Sequence, residues 1–290
     1  MRSFVPAYEL HIPANVDEAL AWLASEPGRW RPFAGGTDLM VLLEAGRLEH
    51  TRFISLQGLR DLRYVEAGVR EVSLGALTTY SDVRRHPLLA AEFPLLGLAA
   101  AETGGVANQN RGTLGGNIAN GSPAADSPPA LLAYDAVLEL ASTRGARRVP
   151  YESFHTGYKQ MDLAPDEVIT AIHVPRRPGR RHHFYRKVGT RRAQAISKVC
   201  IAGVLELQEG VMTDVRLAFG SVAPTPVRAR HTEAALRGRA LDEGTIAAAR
   251  EAVARDIAPI DDLRSTAQYR LVVARNLVEE LLRDGPAPVR

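Results

Sequence analysis

The chain of 290 residues has a single cysteine, Cys200. One thiol excludes an internal disulfide, and it excludes any four-cysteine zinc or iron–sulfur site built by this chain alone. Cys200 stands in the apolar run KVCIAGVLEL, which reads as a buried, inert thiol rather than a nucleophile. No apolar run reaches membrane-spanning length, so no membrane span is expected. The opening MRSFVPAYELHIP lacks the apolar segment of a secretory signal, and a cytoplasmic location is the expectation. Neither sign of charge dominates: 36 Lys+Arg against 33 Asp+Glu give a net charge of +3 and a pI of about 9.2, mostly from arginine. The signs are interspersed, which argues against nucleic acid as a partner. The densest basic cluster, residues 176–183, reads as a solvated loop.

Common chemical fingerprints are missing too. There is no G-x-G-x-x-G, hence no support for a Rossmann dinucleotide site. No G-x-x-x-x-G-K-[ST] marks a P-loop, and neither H-E-x-x-H nor G-x-S-x-G occurs. The eight histidines fall into no metal-ligand spacing. The His182-His183 pair reads as an exposed strand edge.

What is present is an unusual stretch at residues 112–126, GTLGGNIANGSPAAD. Glycine is costly inside regular elements and useful where backbone must approach a ligand or take positive φ. Successive free N–H groups in such a loop form a concave anion site. A second glycine pair lies far upstream in RPFAGGTDLM, where the order is strand, Gly-Gly turn, helix. The start of that helix offers unpaired N–H groups and a positive dipole end, a natural phosphate seat. Thr37 could add a hydroxyl, and Asp38 reads as the helix cap. A plain βα turn with glycines for geometry is the structural alternative. Two such loops suggest one extended, phosphate-bearing ligand held from two sides. Asn120 and Asp126 are placed to bind hydroxyls, and a carboxylate suits a polyol or ribose rather than a phosphate. Alternatively, Asp126 caps the helix after Ser127. Lys187, in YRKVG, is either a cation beside a reduced, anionic ring or a surface strand lysine. Ligand loops with little proton-transfer machinery fit a protein whose cofactor carries the chemistry.

The pattern divides the chain at a Pro/Gly/Arg-rich stretch, residues 175–181. Before it, short strands and helices alternate: a strand at 8–12, a helix capped by Asn15, strands at 31–34, 52–56 and 72–77, and a helix from Ser81 interrupted at Pro87. A small-residue helix at 95–101 follows, then the glycine stretch, taken as a loop, and a short helix at 129–133. The segment EVITAIHV alternates like a half-buried strand. After the division, three strands in succession, the last two joined by a tight turn near Glu209-Gly210, imply antiparallel pairing. Helices fill the remainder, which gives an α+β unit.

AGGTDLM and TLGGNIANGSPAAD, with FYRKVGTRRAQAISKV and DDLRSTAQYR downstream, resemble the FAD-binding medium subunit of molybdenum hydroxylases, the xanthine dehydrogenase and carbon monoxide dehydrogenase group. The similarity runs through nearly the whole chain in the same order. It implies an α+β fold: a PCMH-type FAD-binding domain of two subdomains over residues 1–177, then a smaller C-terminal α+β flavoprotein domain over 178–290. By resemblance, Phe33, Ala34, Gly35, Gly36, Thr37 and Asp38 match the first diphosphate-binding segment, and Thr113, Gly115, Gly116 and Asn117 the second. Asn120 and Asp126 match positions at the ribityl chain, Ile169 an apolar position near the isoalloxazine, and Lys187 a lysine near that ring. No catalytic residue or metal ligand of this chain is implied. The resemblance implies FAD here, molybdopterin on a large partner subunit and two [2Fe–2S] clusters on a small one, paired as a dimer of heterotrimers. Electrons pass from the clusters through FAD to NAD or a quinone. The single cysteine agrees, because the clusters must sit on another chain. A stand-alone FAD-dependent oxidoreductase of the same fold is the alternative, and a non-enzymatic nucleotide-binding scaffold is a second.

Overall fold

A computed structural model describes residues 7–177, 179–191 and 194–284. The expected division at 177/178 therefore abuts Pro178, outside the described residues, as are Arg192 and Ala193 of the FYRKVGTRRAQAISKV segment. Three larger sheets and one two-stranded pair organise the described residues. The first is a small parallel sheet of β1 (Glu9–His11), β2 (Arg31–Phe33) and β3 (Arg52–Ser55), in the order β1-β3-β2. Its crossover helices are α1 (Val16–Ser25), between β1 and β2, and α2 (Leu39–Glu44), between β2 and β3. Asn15 caps α1 as expected, accepting from the Glu18 N–H at 2.9 Å. Ala19, Leu20 and Leu23 bury one face of that helix.

The middle unit opens with β4 (Val65–Ala67) and β5 (Glu71–Gly75). Short helices follow: α3 (Tyr80–Arg85), α4 (Pro87–Glu92), α5 (Pro94–Glu102), α6 (Val106–Arg111), α7 (Leu114–Ala119) and α8 (Ser127–Ala133). It closes with β6 (Val137–Ser142), β7 (Gly145–Pro150), α9 (Tyr151–Phe154), β8 (His155–Gly157), β9 (Gln160–Met161) and β10 (Val168–Pro175). The five-stranded antiparallel sheet runs β4-β5-β10-β6-β7. EVITAIHV thus becomes β10, the central strand, and Val168 through Val174 are buried on both faces. The half-buried expectation fails because helices cover one face, while on the other His173 is held between Glu71 and Glu139, each at 3.2 Å. The glycine stretch is also not a plain loop, because α7 lies inside it.

The third unit starts with β11 (His182–Val188), β12 (Val199–Gln208), β13 (Val211–Gly220) and β14 (Val227–Arg228), an antiparallel sheet in chain order. Glu209 and Gly210 turn β12 into β13 with φ of +51° and +80°. Left-handed residues at both turn positions match the twist of a two-residue hairpin. Helices α10 (Arg230–Leu236), α11 (Glu243–Asp256) and α12 (Ala267–Arg283) complete the unit. Side chains on a strand alternate between faces. One face of β12 and β13 therefore gives Ala202, Val204 and Ala218 to the middle core, and the other gives Ile201, Leu217 and Phe219 to the core under α11 and α12. Helix α8, SPPALLA, is buried along its whole length and packs on this sheet. A helix without a polar face must be covered on all sides.

The described residues of the basic cluster at 176–183 form no helix or strand before β11, and Arg177, Gly179 and Arg180 are exposed, as expected of a solvated loop, but three of its arginines are paired. Arg176 pairs with Glu92 at 2.6 Å, Arg177 with Asp135 at 2.7 Å, and Arg181 with Glu206 at 3.6 Å. His182 and His183 are half-buried rather than exposed, and no metal-binding group of His, Cys, Asp or Glu occurs among the described residues. A buried network then joins the third unit to the middle one. Arg228 pairs with Glu233 and Asp135 and donates to the Leu132 carbonyl at 3.0 Å. Glu233 also accepts from the Leu217 N–H at 2.8 Å. Replacing Glu233 with Ala removes the acceptor of the buried Arg228 Nε and of the buried Leu217 N–H, while Arg228 keeps Asp135 and the Leu132 carbonyl. We expect Glu233→Ala to lower the unfolding free energy by about 3–5 kcal/mol in urea titration. A change below about 1 kcal/mol would show that the network is not structural.

Candidate functional site

The first glycine turn leaves β2 at Phe33. Gly36 has φ of +74°, and a β-carbon there would lie 2.5 Å from the Phe33 ring. Among the described residues, the N–H groups of Gly35, Gly36 and Thr37 donate to no protein acceptor. Asp38 occupies the N-cap position of α2 without making the capping bond. The cap expectation fails because the Asp38 residue itself is helical (φ −94°, ψ −46°) and its carboxylate accepts instead from Asn120 Nδ2 at 3.4 Å.

The second turn lies against the first. A β-carbon on Gly35 would meet the Arg111 carbonyl oxygen at 2.0 Å, so only glycine fits. Arg111 Nε donates back to the Gly35 carbonyl at 3.3 Å. Thr113 caps α7 and accepts from the Gly116 N–H at 3.1 Å. The N–H of Gly115 donates to the Ala76 carbonyl and that of Asn117 to the Thr113 carbonyl, each at 2.9 Å. The second motif therefore has no row of free N–H groups. Its glycines serve close packing, since a β-carbon on Gly115 would touch Ala76 at 2.7 Å. Asn117 Oδ1 accepts from Ser127 Oγ.

Asp126 follows, 7% exposed, at the start of α8. It makes no capping bond. Its Oδ2 accepts from Lys187 Nζ at 2.8 Å, and its Oδ1 is buried with no hydrogen-bond partner among the described residues. Lys187 is not a surface lysine: its side chain is 6% exposed, and Nζ also donates to the Glu102 carbonyl at 2.9 Å. Tyr185, two residues earlier on β11, donates to the Asp126 carbonyl at 3.0 Å. A cleft of about 330 Å³ opens beside this pair, lined in part by Leu98, Glu102, Tyr185 and Lys187. Burial pushes the Asp126 carboxyl up to about 6, against the pull of Lys187. Cys200, opposite Lys187 in the sheet register, is fully buried, and burial pushes its thiol up to about 12.

The structure thus brings Phe33, Ala34, Gly35, Gly36, Thr37 and Asp38 against the segment carrying Thr113, Gly115, Gly116, Asn117 and Asn120, and it joins Asp126 to Lys187. Ile169 is a core residue, 4% exposed and in register with Leu140. Its neighbour Thr170 reaches the second turn through Ala76, whose N–H donates to the Thr170 carbonyl at 2.9 Å. Sequence reasoning missed Arg111, Glu102 and Tyr185. Tyr185 carried a signal, because residues two apart on a strand share a face. Glu102 acts through its carbonyl, for which no side-chain pattern exists.

Two interlocked turns, one with free N–H groups, make the kind of surface that suits an extended nucleotide-type cofactor. The comparisons agree with that class. The family model described as FAD binding domain in molybdopterin dehydrogenase matches residues 6–177, and that of the CO dehydrogenase flavoprotein C-terminal domain matches residues 183–284. The putative xanthine dehydrogenase FAD-binding subunit of Escherichia coli is 33% identical over 96% of this chain and 95% of its own length. The glyceraldehyde dehydrogenase medium chain of Sulfolobus acidocaldarius is 30% identical over 97% and 99%. A chain of carbon monoxide dehydrogenase from Hydrogenophaga pseudoflava superposes with a TM-score of 0.93, at 31% identity, over 97% of this chain and 98% of that one. The chain belongs to the family of FAD-binding subunits of molybdopterin dehydrogenases, and it is a flavoprotein subunit of an oxidoreductase.

The raised Asp126 carboxyl has a measurable consequence. In the cofactor-free fold this group keeps its proton up to about pH 6, whereas the unfolded chain releases it near 3.8. Its stabilising contribution is present below pH 4 and is lost as pH rises towards 6. Relative to Asp126→Asn, the wild-type chain should lose on the order of 3 kcal/mol of unfolding free energy over that interval, read by urea titration. A difference that does not vary with pH would show that the carboxyl is not raised.

Proposed function

We propose that this chain carries FAD between its two glycine turns and relays electrons within a multi-subunit molybdenum hydroxylase. The convergence of the turns is the observation that carries the reading. The residues present fit the cofactor. The free N–H groups of Gly35, Gly36 and Thr37 suit a diphosphate, with Phe33, Ala34 and Asp38 shaping that turn. Thr113, Gly115, Gly116 and Asn117 close the seat from the other side. Asn120 and Asp126 are the side chains assigned to the hydroxyls of a ribityl chain. Ile169 stiffens the floor, and Lys187 stands as the cation for the ring, with two of its three N–H bonds already committed. When bound, FAD supplies reversible one- and two-electron chemistry.

The reading extends to partners. A large subunit holds molybdopterin, a small one holds [2Fe–2S] clusters, and the units pair as a dimer of heterotrimers. The external acceptor is NAD or a quinone. Cys200 alone cannot bind a cluster, which supports placing the clusters elsewhere. A free thiol as the only cysteine also agrees with a reducing, cytoplasmic setting, and no helix among the described residues is long and apolar enough to cross a membrane. The proposed division of the chain is 1–177 and 178–290.

A tagged form purified from its own cells should be yellow, with about one FAD per chain, and should bring down equimolar partners that contain molybdenum and iron–sulfur. Recovery as a colourless, unaccompanied chain would contradict the reading. Gly36→Ala should lower flavin content at least tenfold while leaving the fold intact by circular dichroism, because the new β-carbon strikes Phe33 in a left-handed backbone. Full flavin content in that variant would remove the first turn from the site.

A further inference from the structure

DDLRSTAQYR, residues 261–270, forms a tight turn and then the start of α12. Asp262 Oδ1 accepts from the N–H groups of Arg264 and Ser265, at 2.8 and 3.0 Å, and from Arg270 Nη2 at 2.6 Å. With that nitrogen fixed, Arg270, only 5% exposed, aims Nη1 at the Ser221 carbonyl, 3.0 Å away. Ser221 follows β13 directly and is left-handed, with φ of +67°. Such backbone is unfavourable for a residue with a β-carbon and persists where its surroundings fix it. Here both peptide groups are fixed: Arg270 holds the carbonyl, and the N–H donates to the Pro123 carbonyl at 2.8 Å. The preceding Gly220 allows the approach, since a β-carbon there would lie 3.2 Å from the Pro129 ring.

Pro123 lies in the second glycine motif, between Asn120 and the head of α8. Among the described residues, the long-range hydrogen bonds of residues 122–126 all come from the third unit: Ser221 to Pro123, and Tyr185 and Lys187 to Asp126. The last two hold the end of the segment, and the Ser221 bond holds its middle. We propose that Arg270 is a positioning residue for the second glycine motif: by locking Ser221 in the left-handed conformation it fixes the Pro123 carbonyl, and with it the path of the chain from Asn120 to α8. The proposal rests on the reading that this chain binds FAD. Arg270 acts on the cofactor only through Ser221 and Pro123. Its effect is to set the ligand segment in shape beforehand, so that binding need not supply the ordering.

The test is FAD rebinding to the full-length chain after flavin removal, read by flavin fluorescence, together with exchange of the Ser221 amide. Arg270→Met should weaken FAD on the order of tenfold and speed that exchange. Adding Ser221→Gly should recover most of the loss, to within about threefold of wild type, because glycine takes positive φ without steric cost. The serine hydroxyl, buried without a partner, is not missed. Val278→Ala, in the core under α12, is the control for plain destabilisation, with a lower melting temperature and unaltered FAD affinity. If Arg270→Met does not fold, Arg270→Lys, which can keep only one of the two acceptors, should still weaken FAD by about threefold and be rescued in the same way. Unchanged affinity in the folded Arg270 variant, a loss that Ser221→Gly does not relieve, or an equal loss in Val278→Ala would overturn the positioning role and leave FAD as the ligand. A wild-type chain that binds no FAD would overturn the proposed function, and this role with it.

Discussion

At Gly35 two backbone segments meet more closely than any side chain allows, with the Arg111 carbonyl standing where a β-carbon would be. The contact joins residues 76 positions apart and docks the parallel N-terminal sheet onto the helices of the middle unit. Everything at the candidate site follows from it. With the sheets held this way, the free N–H groups of the first turn lie against the capped start of α7, and Asp38 reaches Asn120. Separate the two turns and each is an ordinary chain reversal. Together they form one packed surface, and that packing does not depend on the chemistry of a single side chain.

The third unit adds the charges. Its sheet is packed on both faces, and α8 is clasped between it and the middle core. Asp126 sits at the head of that helix, with Asp135 just beyond its other end. Both carboxylates are tied to basic residues of the third unit, Asp126 to Lys187 and Asp135 to Arg228. Buried pairs such as these add little net stability over apolar packing, yet they penalise wrong docking heavily because a lone buried charge is so unfavourable. The third unit, far from both glycine motifs in the chain, thereby controls the orientation of Asp126, at the end of the second motif.

Much of this was legible locally. The cap at Asn15, the hairpin at Glu209-Gly210 and the break at Pro87 each depend on a few adjacent residues, and each was readable for that reason. The glycine turns were legible as turns. What could not be read was set by distant partners. Asp38 looks like a cap until Asn120, 82 residues away, supplies an alternative. EVITAIHV looks half-buried because its outward histidine is polar, although two glutamates on neighbouring strands cover it. Lys187 looks like a surface strand residue until Asp126 and the Glu102 carbonyl bury it. The second glycine motif misled in another way: Gly115 is small for packing against Ala76, and the N–H groups of Gly115, Gly116 and Asn117 are already used.

The central claim is that two remote turns hold one cofactor at the same time. Amide hydrogen exchange of the full chain, with flavin removed and then restored, addresses it directly. The account predicts that FAD slows exchange together in the peptides spanning residues 33–38 and 111–120, at the same ligand concentration. Protection confined to one of those peptides, with the other unchanged at saturation, would contradict it.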